Sequence, residues 1–333
     1  MKNITKWILA MSLAAAMAGC TVGGTAAGSA KNSSVTADTK DCMIGVIQLV
    51  AHPALDAATN GFVDTLKEDL NLTDDNFDIQ NAAGEAATCS SIATALVQEN
   101  CDLILANATA SLQAASSATS TIPILGTAVT EYGTALDIAN FNGTVGTNVS
   151  GTADLAPLDQ QAQMFDELLP DAKKIGILYC SGEPNSVYQA KIVKEALEKA
   201  GKTVETYTFA DTNDVSQVTK TACDESDALY IPTDNTAASC TEAIDSVASQ
   251  SGTPIIAGEE GIMSGCGIAT LSIDYYQLGV TTAKMAEKIL SGETKVSEMP
   301  IEYYDNPVKE YDAARCEKLG ITVPSDYTAY TAE

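Results

Sequence analysis

The sequence predicts an α/β protein with two similar Rossmann-like lobes, each built on a parallel sheet, and a hinge between them. Its 333 residues suggest about two domains. Hydrophobic residues make up 45% of the chain and charged residues 19%, which is typical of a globular protein and not of a disordered one. The order strand, helix, strand occurs in both halves, and Ile-Gly pairs at Ile44 and Ile175 mark corresponding strands.

The first twenty residues predict a secretory signal, because Lys2 and Lys6 precede a short apolar run that ends in small residues. Met17-Ala-Gly-Cys20 resembles a bacterial lipobox, so Cys20 is the predicted lipidation site. The alternative is a plain signal peptide in which Cys20 has no role. Residues 21–42 are rich in Gly, Ala, Ser and Thr and predict a flexible tether. No later run is long and apolar enough to suggest a membrane span.

The first half alternates strand and helix patterns. Residues 43–50 form an apolar, β-branched run typical of a buried strand, and residues 55–70 carry apolar side chains at helical spacing. Residues 102–109 predict a strand, a turn and the start of a helix, and residues 122–125 predict another strand. This order favours parallel strands covered by helices.

The second half repeats the order. Residues 174–179 predict a strand, and residues 187–200 predict a helix that ends at Gly201, a common C-terminal signal. Residues 227–236 again predict a strand, a turn and a helix, and residues 254–257 the next strand. The repetition predicts two copies of one α/β plan in tandem.

The remaining segments predict crossings between the lobes, which form a hinge. Residues 148–154 bridge the halves, and residues 271–276 lead into a helix at 277–290. A strand near 301–304 and a helix near 313–320 close the chain. The expected division places residues 43–150 and 275–304 in lobe 1, and residues 151–274 and 305–333 in lobe 2.

Composition excludes several kinds of function. Acidic residues outnumber basic ones by 44 to 18, and the net charge of −26 would repel nucleic acids. His52 is the only histidine, so a histidine-rich metal site is excluded and a histidine-dependent catalytic triad would have to use His52. No cysteines have CxxC spacing. We therefore expect no metal and no cofactor, and mostly free, buried cysteines, with disulfides as the alternative.

Polar residues at the carboxyl ends of the predicted strands are the candidate binding residues, because parallel sheets bind ligands there. Lobe 1 offers hydroxyls and helix N–H groups suited to a carboxylate, and lobe 2 offers carboxylates suited to an ammonium group. An α-amino acid carries both charges and would hold a cleft closed. The expected ligand-binding residues are His52, Asn107, Thr109, Ser111, Thr130, Glu183, Asn185, Ser186, Asp234, Asn235, Glu259 and Glu260.

These residues also have purely structural interpretations. Thr109, Ser111 and Asp234 are good helix N-caps. Glu259 and Glu260 lie between two glycines and suit a solvated loop equally well.

Several strings resemble one family closely. They are IGVIQLVAHPALD at 44–56, IGILY at 175–179 with SGEPNS at 181–186, IPTDN at 231–235, AGEEG at 257–261 and IDYY at 273–276. The chain resembles the ABC-transporter substrate-binding lipoproteins of the tryptophan/tyrosine (TrpX-like) type from about residue 43 to 324. The resemblance implies the type 1 periplasmic-binding fold and capture of a small solute, an aromatic amino acid for some members. Cys180 and the Asn107-Ala-Thr109 turn depart from the family's common pattern and leave other ligands open.

Three functions are compatible with the sequence. The first is a monomeric, non-enzymatic, lipid-anchored binding protein outside the cytoplasm, which delivers solute to an ABC permease and its ATPase. The second is an exported α/β enzyme acting on a small molecule, although the sequence contains no Gly-x-Ser-x-Gly elbow and no phosphate-binding loop. The third is a sensor subunit that presents its ligand to a membrane receptor.

Overall fold

Thirteen strands form two sheets in the computed structural model, which describes residues 42–331. The predicted signal peptide, Cys20 and nearly all of the tether lie outside the described residues. The strands of the first half are β1 (Ile44–Gln48), β2 (Phe77–Asn81), β3 (Leu103–Asn107), β4 (Ile124–Val129) and β5 (Val149–Ala153). Those that follow are β6 (Lys174–Cys180), β7 (Thr203–Phe209), β8 (Ala228–Ile231), β9 (Ile255–Ala257), β10 (Ala269–Ser272), β11 (Glu302–Tyr303), β12 (Val308–Tyr311) and β13 (Thr328–Ala329).

Twelve α-helices connect these strands in residues 42–331. They are α1 (Pro53–Leu70), α2 (Ala86–Gln98), α3 (Thr109–Ala118), α4 (Tyr132–Ala135), α5 (Leu158–Leu168), α6 (Pro184–Lys199), α7 (Val215–Glu225), α8 (Asn235–Ala238), α9 (Thr241–Ser251), α10 (Glu260–Cys266), α11 (Tyr275–Leu290) and α12 (Ala313–Leu319). No helix among these residues is long and apolar enough to cross a membrane.

The two sheets have the same core order, which confirms the predicted duplication. The first sheet, in lobe 1, has the order β11-β5-β4-β3-β1-β2. The second, in lobe 2, has the order β13-β12-β10-β9-β8-β6-β7. The pairings are parallel except that β12 runs antiparallel to β10. Parallel neighbours need a long crossover connection, and the helices between these strands provide it.

Both faces of each sheet are covered by apolar side chains. In β1, Ile44 and Val46 belong to one buried cluster of lobe 1, whereas Ile47 belongs to another. In β6, Ile177 and Leu178 likewise face opposite sides. A strand that is buried on both faces needs a continuous apolar run, which is the pattern that the sequence shows.

The chain passes between the lobes three times: after β5, after β10, and between β11 and β12. The predicted exchange of strands is therefore present. All of β5 pairs within the lobe 1 sheet, so this strand crosses the boundary expected at residue 150.

Helix α11 follows the second crossing and packs closely against α1 of lobe 1. A Cβ atom at Gly61 would lie 2.1 Å from the carbonyl oxygen of Tyr276, and one at Gly279 would lie 2.1 Å from that of Ala58. Only glycine permits this approach of two helix backbones. The pair of glycines therefore fixes the position at which α11, and the crossing before it, meet lobe 1.

Candidate functional site

A hydrogen bond joins the two lobes at the carboxyl ends of their strands. His52 Nε2 lies 3.3 Å from Oδ1 of Asn235, and both residues are mostly buried. Burial lowers the pKa of His52, although the bond with Asn235 opposes that effect. His52 Nδ1 has no hydrogen-bond partner. The expected site residues His52 and Asn235 are thus brought together, one from each lobe.

Asn107, the last residue of β3, anchors helix α1. Its amide nitrogen donates to the carbonyl oxygen of Leu55 and to Oγ1 of Thr59, each at 2.8 Å. Its Oδ1 is buried and accepts no hydrogen bond. Asn107 therefore has a structural role and also keeps one free acceptor at the carboxyl edge of the lobe 1 sheet.

The N-terminus of α3 is uncapped by any side chain. The preceding residue, Ala108, has φ 85° and ψ 163°, a conformation that strongly favours glycine. Thr109 and Ser111 are buried in the first turn, and Ser111 Oγ lies 3.7 Å from Sγ of Cys89. The strained turn delivers a ten-residue helix whose first N–H groups suit an anion.

In lobe 2, the Glu183 carboxylate already has partners within the protein. It accepts hydrogen bonds from the backbone N–H groups of Asn235 at 3.0 Å and Thr236 at 2.8 Å, at the start of α8. It also accepts from the side chains of both residues and from Asn185 Nδ2. These bonds favour a structural role for Glu183.

Asp234 is likewise occupied. One oxygen accepts from the N–H of Ala237 at 2.8 Å, which caps α8, and the other accepts from the N–H of Cys180 at 2.7 Å. Burial and the nearby Glu183 raise the pKa of Asp234. These contacts favour a helix-capping role for Asp234 over a ligand-binding one.

Asn185 and Ser186 hold the loop that follows β8. Asn185 Nδ2 donates to the carbonyl oxygen of Thr233 at 3.0 Å, and Ser186 Oγ donates to the same oxygen at 3.5 Å. The Gln189 side chain donates to the carbonyl oxygen of Thr233 and accepts from its N–H, each at 3.2 Å. The expected polar residues of α6 therefore shape the cleft wall through Thr233.

The two adjacent glutamates occupy different surroundings. Glu259 is 2% exposed and caps α10, accepting from the N–H groups of Gly261 at 2.6 Å and Ile262 at 2.5 Å. Burial raises its pKa to about 7. Glu260 lines a cavity of about 460 Å³ together with Asp274 and Glu310, at the surface between α1 and the last strands.

Asp154 and Tyr275 were not among the expected site residues, although both lie in segments predicted to cross between the lobes. Asp154 directly follows β5 and is 3% exposed, and Tyr275 is the first residue of α11. The Tyr275 hydroxyl donates to Asp154 Oδ2 at 3.0 Å. Burial raises the pKa of Asp154 to about 6, while interactions with Thr130 and Tyr275 oppose that rise. Thr130, an expected site residue, is therefore next to this carboxyl.

Unpartnered polar atoms concentrate at the lobe 1 edge of the cleft. Five buried side-chain polar atoms of residues 42–331 have no hydrogen-bond partner. Three of them belong to His52, Asn107 and Asp154, which lie at or just beyond the ends of β1, β3 and β5. Buried polar atoms are normally paired, so this edge of the lobe 1 sheet is the candidate ligand site. No cluster of His, Cys, Asp or Glu in the described part of the chain has a metal-binding arrangement.

The chain is similar to known substrate-binding proteins. The family of ABC transporter substrate binding proteins matches residues 43–333. A "Tyrosine-binding protein" of Clostridioides difficile (strain R20291) is 36% identical over 272 residues, which cover 81% of this chain and 78% of the relative. The crystal structure of an ABC domain from Streptococcus pneumoniae in complex with L-Trp is 33% identical, covering 85% of this chain and 96% of that one, with a TM-score of 0.81.

A third comparison bears on the arrangement of the lobes. The ligand-free, open structure of a substrate binding protein with adhesive properties from Clostridium difficile is 36% identical and covers 88% of this chain and 100% of that one. Its TM-score is 0.66, below that of the L-Trp complex in spite of the higher sequence identity. The fold therefore superposes better on the L-Trp complex than on the open, ligand-free structure. From its family match, its relatives and its two-lobed type 1 periplasmic-binding fold, the chain belongs to the ABC transporter substrate-binding proteins.

Proposed function

We propose that the protein captures an aromatic amino acid, tyrosine or tryptophan, outside the cytoplasm and delivers it to an ABC permease and its ATPase. The observation that carries this proposal is the similarity of most of the chain to a tyrosine-binding relative and to a structure solved in complex with L-Trp. Membership of a binding-protein family, with neighbours that are binding proteins, favours this function over an enzymatic one.

The spacing of polar groups in lobe 1 supports an α-amino acid. Strands β3 and β5 flank β4, and neighbouring strands are about 4.8 Å apart, so their ends are roughly 9.5 Å apart. An α-amino acid with a hydrogen bond of about 2.8 Å at each end spans a similar distance. Its carboxylate suits the uncapped N-terminus of α3, near Thr109 and Ser111, at the end of β3.

The other proposed attributes concern the membrane. We infer that Cys20 carries a lipid, that residues 21–42 tether the domain, and that the protein works as a monomer. The acidic composition suits a domain that is held off an anionic membrane by its tether, because like charges repel. Radiolabelled palmitate fed to cells tests the lipid. We expect the label in the native chain and not in a Cys20→Ser variant.

A fluorescence titration tests the ligand. Trp7 is the only tryptophan and lies in the predicted signal, so the protein without residues 1–20 has no indole of its own. We expect a blue shift of L-tryptophan emission on mixing, because the indole enters a buried cleft, and heat release with L-tyrosine in calorimetry. Glycine is the control ligand. Failure of both aromatic amino acids to bind at saturating protein would contradict the proposal.

A further inference from the structure

Two buried carboxyl groups lie within electrostatic range of each other where the lobes meet. Asp154 follows the last lobe 1 strand before the first crossing, and Glu259 precedes α10 of lobe 2. They are 3% and 2% exposed, and Asp154 is one of the groups that raise the pKa of Glu259. No ion pair among the described residues includes either carboxyl. Buried carboxylates are rarely left without a cation or a full set of donors.

The two carboxyl groups differ in what they still offer. Both oxygens of Glu259 accept backbone N–H groups of α10. Asp154 Oδ2 accepts from Tyr275, but Asp154 Oδ1 has no hydrogen-bond partner. The open position is therefore on Asp154, and Glu259 adds negative potential beside it.

We propose that Asp154 binds the ammonium group of the ligand through Oδ1, and that Tyr275 positions the carboxyl by donating to Oδ2. This inference rests on the proposed function and deepens it, because it assigns the recognition of the amino group. The sequence had suggested lobe 2 carboxylates for that task, but Glu183 and Asp234 are each held by backbone N–H groups. Asp154 lies in lobe 1, on the crossing itself.

The neighbours of Asp154 fit this role. Tyr275 donates to it from the second crossing, and Thr233 of lobe 2 interacts with the same Tyr275 side chain. The Asp154 carboxyl therefore links the first crossing, on which it lies, to Tyr275 of the second. Through Tyr275 it is also connected to Thr233, whose backbone is held by Gln189. The arrangement selects for a primary amine and against an aromatic acid that lacks the amino group, since such an acid leaves the buried carboxyl unpaired.

Calorimetry with matched ligands tests the assignment. L-tyrosine and L-tryptophan are compared with 3-(4-hydroxyphenyl)propionate and indole-3-propionate, which lack only the amino group. We expect Asp154→Asn to weaken binding of the amino acids by at least about 30-fold, because it removes a charge-assisted bond. Binding of the two propionates should change less than about threefold, since Asp154 has no ammonium to contact in them.

Two further variants separate this role from a structural one. Asp274→Asn removes an exposed carboxylate from the second crossing, beside Tyr275, with a side chain that can still cap α11, and should leave the amino-acid preference unchanged. Tyr275→Phe should lower the preference for amino acids over propionates while the ligand-free protein stays folded by circular dichroism. The Asp154→Asn variant should fold as well, because the substitution keeps the shape of the side chain and removes a buried charge.

The possible results are distinct. If Asp154→Asn leaves amino-acid binding unchanged, or weakens amino acids and propionates equally, the inference is overturned and the proposed function stands. If the wild-type protein binds only a non-aromatic amino acid, and does so with the same Asp154 dependence, the inference is supported and the aromatic ligand is wrong. If the wild-type protein binds no amino acid, both are wrong.

Discussion

Asp154 is expected to reduce the stability of the ligand-free protein. Its carboxyl is buried, only one of its oxygens is hydrogen-bonded, and the titratable groups that face it are Tyr275, Tyr132 and Glu259. None of these is a cation. Its pKa of about 6, raised by burial from 3.8, expresses the unfavourable free energy of the charged form. Residues that serve a ligand often lower stability in this way.

The stability of the Asp154→Asn variant should depend on pH. The pKa of Asp154 is higher in the folded state than in the unfolded state, so its ionisation opposes folding. The full destabilisation is present above pH 6, and it vanishes at pH values far below 3.8. Urea unfolding of the ligand-free proteins at pH 7.5 should therefore show the variant to be more stable, by up to about 3 kcal/mol. About two thirds of that difference should disappear by pH 4.5. A variant that is less stable than the wild type at pH 7.5 would show that the Asp154 carboxylate supports the fold.

The sequence predicts the strand ends better than the roles of the residues that follow them. His52, Asn107 and Thr109 were correctly placed at strand ends, because the end of an apolar run marks that edge of a sheet. Asp234 and Glu259 cap helices because backbone N–H groups two or three residues later point toward their carboxylates. The sequence does not specify that orientation. The lack of a partner for Asp154 Oδ1 is a property of packing, and no local pattern encodes it.

Among the elements, strands with continuous apolar runs were predicted and the edge strands β2 and β7 were not, whereas edge strand β11 was predicted near residues 301–304. The central strands β1, β3 and β6 lie where the sequence predicts them. Edge strand β2 was missed, because its Phe-Asp-Ile-Gln-Asn sequence has no apolar run and Ile79 is 49% exposed. Edge strand β7 alternates polar and apolar residues along a partly exposed surface. A strand that is hydrogen-bonded on one side carries little of the burial signal.

The contact between α1 and α11 should tolerate no side chain at Gly279. Alanine there gains roughly 1 kcal/mol of helix propensity, but its Cβ would lie 2.1 Å from the backbone oxygen of Ala58. We expect the clash to dominate and Gly279→Ala to lower the free energy of unfolding by about 1–3 kcal/mol in urea. Gly182→Ala is the control, because the nearest atom to its Cβ would be Cys180 Sγ at 3.8 Å. Equal stabilities of the two variants would contradict the proposed tightness of this contact.

At the scale of the whole molecule, ligand binding and lobe closure should be coupled. Asp154 of lobe 1 and Glu259 of lobe 2 lie within electrostatic range of each other, and burying both charges without a cation is unfavourable. An ammonium group between the lobes offsets that repulsion and shifts the population toward the closed state.

Small-angle scattering checks this coupling. We expect the radius of gyration of the wild-type protein to fall when L-tyrosine saturates it, because the lobes approach each other. The ligand-free Asp154→Asn protein should already be more compact than the ligand-free wild type, since one of the two charges is gone. Identical radii for the wild type with and without ligand would contradict coupled closure.

The exchange of strands between the lobes also affects the order of folding. Lobe 1 lacks an edge strand until Glu302–Tyr303 is available, and its α1 lacks its packing partner until α11 has been made. The first lobe therefore cannot complete its core during the early part of synthesis, because contacts of such long sequence separation form late. Folding of lobe 1 thus depends on segments made near the end of synthesis, although its first strand is made near the start.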